Sequence, residues 1–203
     1  MTEQTKEKVR DIKKQLHAFM NGPISTSMRE KGLKYRVIYG VEWSRLQEIA
    51  QAIGPNTRLA AALWKEDIRE CRLLAGLIQP QNDFSEELAE IWIEDMNFPE
   101  EAQYTTLSLF QHLPYAKRAA FHWIAREKEM FQLCGFLLFA RLFMKEKDNL
   151  IDDRNAQEFL DQAASLLHTK NLALLNAVRN ALSKYSLLGE IEENKVMRLL
   201  KGN

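Results

Sequence analysis

Chain breakers are scarce in this sequence of 203 residues, which holds 8 glycines and 5 prolines. A fold of many short strands needs turn residues throughout, so this scarcity argues against an all-β chain and for helices. Cysteine is rarer still. Cys71 and Cys134 stand on apolar segments without a CxxC spacing, which excludes a disulfide framework or a cysteine metal knuckle and predicts a reducing, cytoplasmic setting. Long apolar runs are missing as well: the most apolar stretch, Phe131 to Met144, is interrupted by Gln132 and Arg141 and falls short of the roughly 20 apolar residues of a membrane span. The opening MTEQTKEKVRDIKKQ has no apolar core of a secretory signal. Charge of either sign is not in excess, since Lys plus Arg and Asp plus Glu are each 28. No global basic field advertises nucleic acid, and any such site must be local.

Catalytic signatures are absent too. There is no Walker loop, GxGxxG, GxSxG or HExxH, and His17, His112, His122 and His168 are scattered over separate segments. No metal and no cofactor is therefore expected.

What is present is apolar residues recurring at three- and four-residue intervals, with prolines where the pattern stops. The spacing predicts helices over about 9–19, 25–30 and 41–53, then four helix pairs: 57–64 with 68–78, 86–96 with 100–113, 116–125 with 129–145, and 155–167 with 172–185. A last helix covers about 192–200. Two-helix units at roughly 30–45-residue spacing predict a single all-α domain, a helical solenoid of HEAT or armadillo type. The segment from Phe131 to Phe143 is apolar nearly all round and reads as an inner helix. Trp43, Trp64, Trp92 and Trp123, with Met96, Met130 and Met144, read as core.

Zero net charge conceals local contrast. Residues 1–45 carry 10 basic and 5 acidic side chains and residues 113–147 carry 7 and 3, whereas residues 81–112 hold eight acidic side chains and no lysine or arginine. On the inner face of a solenoid, Arg69, Arg72, Lys117, Arg118, Arg126 and Arg141 would converge on a phosphate backbone. The plainer alternative is intrahelical pairing such as Glu66 with Arg69, or Arg126 with Glu129. The acidic run reads as a solvated face, a phosphate-repelling surface or a docking patch for a basic partner.

Ordered motifs sharpen this. Tyr39-Gly40-Val41, the helix that follows, LAAALWKEDIRECRLLAGLI from Leu59, Trp92-Ile-Glu-Asp95, LSLF from Leu107 and YAKRAAFHWIA from Tyr115 together resemble the DNA alkylation repair family, the AlkD-type HEAT-like alkylpurine DNA glycosylases. The resemblance covers about residues 28–185. It implies a right-handed superhelix of antiparallel helix pairs whose concave face cradles double-stranded DNA. It also implies chemistry in which a carboxylate and electron-rich aromatic faces stabilise positive charge developing on the deoxyribose while an arginine holds the neighbouring phosphate.

The chain departs from that pattern at the chemistry. Where the family usually carries Trp-Asp-x-x-Asp, gap-free alignment places Pro99, next to Phe98, at the tryptophan and Gln103 at the catalytic aspartate. The second aromatic position falls on Asn180, and the arginine survives as Arg118. Glu100, one turn before Gln103, is the candidate displaced carboxylate. Losing the carboxylate and both aromatics is expected to cost several orders of magnitude in rate. The sequence thus predicts a DNA-binding family member with weak or no glycosylase activity. The alternatives are an active alkylpurine glycosylase using Glu100, and a helical scaffold for a protein partner.

Overall fold

The computed structural model describes residues 2–145 and 152–202. Among these, regular structure is α-helical: α1 (Glu3–Ala18), α2 (Gly22–Glu30), α3 (Trp43–Ile53), α4 (Thr57–Trp64), α5 (Arg69–Ile78), α6 (Glu86–Asp95), α7 (Pro99–Ser108), α8 (Ala116–Ile124), α9 (Glu129–Lys145), α10 (Asp153–Ser165), α11 (Leu172–Ser186) and α12 (Glu190–Gly202), with two single-turn 3-10 helices at Gln81–Asp83 and Phe110–His112. Extended pairing among the described residues is limited to an isolated bridge between Val37 and Ile68. No helix among them is long and apolar enough to cross a membrane.

Local chemistry sets the helix starts. Side-chain oxygens of Thr2, Asn21, Asn56, Ser85, Asp152 and Asn171 accept from the otherwise orphaned first-turn N–H groups of α1, α2, α4, α6, α10 and α11, each such cap contributing about 1 kcal/mol. α4 and α9 begin and end at the predicted residues. The predicted helix over 100–113 does not run through: α7 stops at Ser108, and the following 3-10 turn carries Phe110 onto Trp123 with ring centroids 5.0 Å apart.

Two compact units divide the chain, Met1–Phe84 and Ser85–Asn203. In the first, α1 packs on α4, and both α3 and α4 pack on α5. In the second, α9 is the hub, with α6, α7, α8 and α11 all laid against it. The predicted partners 86–96 and 100–113 both lean on the central helix, as α6 and α7. The apolar circumference of α9 explains why: ten of its residues are buried, from Phe131 to Phe143. Gly135 permits the close approach of α8, because a Cβ there would lie 2.7 Å from Cγ2 and 2.9 Å from the backbone N of Ile124. Phe139, Phe143, Phe159 and Tyr185 stack into one cluster with centroids 5.0–5.5 Å apart. Trp64, Trp92 and Trp123 are core residues as expected, while Trp43 is half-buried and Met144 is exposed at the end of α9.

Candidate functional site

The sequence motifs of the first unit fold into a structural knot. Glu70, fully buried, accepts three backbone N–H bonds from the Tyr39-Gly40-Val41 turn: Tyr39 N to Oε2 at 3.0 Å, and Gly40 N and Val41 N to Oε1 at 2.9 and 3.3 Å. Gly40 has φ +74°, and a Cβ would run into the carbonyl oxygen of Asn21 and lie 2.8 Å from Ser25 N, so only glycine fits the left-handed turn. Arg69 Nη1 donates to Glu70 Oε1 at 3.2 Å and lies 3.4 Å from the Val41 carbonyl oxygen. Arg72 lies over the Trp64 ring, 4.9 Å from its centroid. Arg69 and Arg72 are only 5% and 8% exposed. Their expected place on a phosphate-facing surface is thereby corrected: a buried carboxylate and an indole face claim these cations for the core. Glu66 is taken by Lys13 at 2.6 Å. Burial, with the charge of Glu66 adding to it, pushes the Cys71 thiol well above its ordinary range, and burial, with the neighbouring Cys71 and Glu70, raises the Tyr39 hydroxyl.

Pro99, Gln103 and Asn180 meet in the second unit. A cleft of about 330 Å³ lies between α7, α9 and α11. Pro99 and Gln103 reach it from α7, Leu133 and Leu137 from α9, and Ala173, Asn176, Ala177 and Asn180 from α11. Three positions far apart in sequence, Pro99, Gln103 and Asn180, thus share one cavity, and its lining carries no carboxylate and no aromatic ring. Pro99 opens α7 at a position where its missing N–H costs nothing. Glu101 Oε2 closes that helix start by accepting from Asn97 N and Phe98 N at 2.6 and 3.1 Å. Phe98 and Glu100 are half-buried beside this cap and are not among the lining side chains.

Cations of the second unit divide into two groups. Arg118 Nε and Nη2 donate to Glu86 Oε2 at 3.1 and 2.6 Å, and His122 Nδ1 lies 3.1 Å from Glu86 Oε1. Arg126 pairs with Glu90 at 3.2 Å and lies over the Phe131 ring, and Lys128 pairs with Glu94 at 2.7 Å. The acidic face of α6 is therefore the counter-charge to α8 and the turn after it, and the anticipated Arg126 to Glu129 pairing gives way to a bridge from that turn to α6. The hydrogen bond and charge of Lys128 hold the Glu94 carboxyl below its ordinary value. Burial, reinforced by the charges of Glu86 and Glu87, raises that of the Tyr115 hydroxyl. Arg141 forms the other group: it is exposed, and with Leu133 and Leu137 it falls at four-residue spacing on α9, one turn along the stripe that floors the cleft. Lys117 is exposed on the first turn of α8.

Sequence reasoning missed the ladder, although its signal was printed in the chain: Glu86, Glu90 and Glu94 repeat every four residues, and so do Arg118, His122 and Arg126. Asn176 and the α9 leucines gave no such signal, because their spacing is that of any packed helix. Among the described residues no group of three or more His, Cys, Asp or Glu is arranged to hold a metal ion.

Among solved structures, the chain is similar to one described as belonging to a new family of proteins related to the HEAT-like repeat DNA glycosylases with affinity for branched DNA structures. The TM-score is 0.84 at 20% identity, over 95% of this chain and 81% of that one. That likeness establishes a HEAT-like helical-repeat fold. No curated protein matches the chain. The family model of the DNA alkylation repair enzyme matches residues 12–188, which include nearly all of the helices just described. The chain belongs to the DNA alkylation repair enzyme family.

Proposed function

We propose that this protein binds DNA, branched structures included, and does not excise alkylated bases. The observation that carries the second half is the cleft at Pro99, Gln103 and Asn180, whose lining offers no charge to oppose an oxocarbenium ion and no ring face to shield it. Catalysis of this bond cleavage is electrostatic, and removing every stabilising group from one site removes most of the rate. Glu100, although one turn before Gln103, is not among the side chains that line the cleft.

The DNA-binding half rests on the family, on the branched-DNA affinity of the structural relative, and on exposed cations. Arg141 is the phosphate contact of the cleft, since it continues the α9 stripe beyond Leu137. Lys117, Arg118 and Arg126 are auxiliary, the last two after release from Glu86 and Glu90. Gel-shift titration of duplex and three-way-junction DNA tests this: affinity must be measurable at low salt and fall as salt rises, with a slope of about 0.9 per phosphate neutralised on duplex DNA. Incubation with methylated DNA must release no alkylbase. Salt-independent or unmeasurable binding overturns the first half, and base release overturns the second.

A further inference from the structure

We propose that the cleft between α7, α9 and α11 is a subsite for a neutral, unpaired nucleobase of DNA. The inference rests on the DNA-binding reading above and names what the cleft itself takes. Its volume, about 330 Å³, is at the lower end of the roughly 300–1,000 Å³ of small-ligand pockets, a scale suited to one heterocycle. Leu133 and Leu137 supply an apolar floor, and Pro99 a flat aliphatic edge against which a base face can be buried.

The polar part of the lining is three amides, Gln103, Asn176 and Asn180, all exposed at the rim. An amide both donates and accepts, which is the complement of a base edge, where donors and acceptors alternate. A cationic alkylpurine finds no carboxylate here, so the site has no electrostatic preference for one. A phosphate finds no cation inside the cleft, and meets Arg141 one turn outside it. A base within duplex DNA presents its pairing edge to its partner and its faces to its neighbours. Withdrawing it costs a few kcal/mol, least for one already unpaired. Branch points and bulges expose such bases, so amide recognition in the cleft converts general phosphate attraction into preference for branched over linear DNA.

The probe is 2-aminopurine placed at a single-base bulge, at a three-way branch point, or within a fully paired duplex. Expected is an emission change on binding at the two unpaired positions and none in the duplex. Bulged or branched DNA should bind about tenfold or more tighter than duplex, within the range one bidentate amide contact supplies. Gln103→Leu and Asn180→Leu keep the volume and remove the hydrogen bonds, and circular dichroism confirms their fold. They should reduce the preference to about twofold or less, leaving duplex affinity and its salt slope as in the parent protein. Preference undiminished in both variants, or an unresponsive probe at the unpaired positions, overturns the subsite while duplex binding stands. Loss of all DNA binding in the parent protein at low salt overturns the reading beneath it and the subsite together.

Discussion

In residues 1–84 the motif arginines and their carboxylate are sealed inside, with Glu70 fully buried and Arg69 and Arg72 nearly so. In residues 85–203 the arginines of α8 and the turn after it lie on the outside, where Arg118 and Arg126 are 62% and 49% exposed against glutamates of a neighbouring helix. The same chemistry therefore has opposite consequences. A buried carboxylate that accepts three backbone N–H bonds is a construction element, because removing it strands the turn it organises. An exposed pair is worth little to stability and leaves its arginine open to competition from another anion. An arginine near a carboxylate thus marks architecture in one unit and adaptable surface in the other.

That contrast can be broken by mutation. Glu70→Ala is expected to have the largest effect, about 3–5 kcal/mol of unfolding free energy in urea titration, since it leaves Arg69 and three backbone N–H groups without their buried acceptor. A loss under about 1 kcal/mol would show that the knot is not structural. Gly40→Ala follows, with a loss of about 2 kcal/mol or more from a left-handed φ and a collision with backbone.

On the exposed side, Arg141→Ala should leave stability within about 0.5 kcal/mol and lower the salt slope of duplex binding by about 0.9, one phosphate contact. Glu86→Gln sharpens the comparison further. It should change stability by less than about 1 kcal/mol and raise DNA affinity, because Arg118 and His122 lose their carboxylate; affinity that stays constant would mean Arg118 does not face the nucleic acid.

The smallest effect is a pH dependence. Glu94 is held below its ordinary value by the Lys128 hydrogen bond and charge. Its contribution is fully present above the unfolded carboxylate value and is lost as pH falls through the lower folded value. Melting temperatures of the parent and Lys128→Met proteins should differ slightly near neutral pH and converge in acid.

Much of the fold was legible before any coordinates. Apolar spacing and the prolines at which it stops define α3, α4, α6 and α9 because helix formation is governed by neighbours within one or two turns. Pro99, Gln103 and Asn180, singled out in the sequence by the family resemblance, line one cleft. What was not legible is the fate of each charge. Arg69 and Arg118 look alike in the sequence, each in the first turn of an apolar-patterned helix.

The sequence alone determined that this chain is helical and that it carries Pro99, Gln103 and Asn180 where the family resemblance leads one to look for a carboxylate and aromatic rings, because these are properties of residue type and local period. Only the tertiary structure decided which cations are buried, which are bridged across helices, and that Arg141 continues the floor of a neutral cleft. Partners such as Glu86 and Arg118 lie 32 residues apart, and pairing at that range is set by how helices pack, which no local pattern encodes.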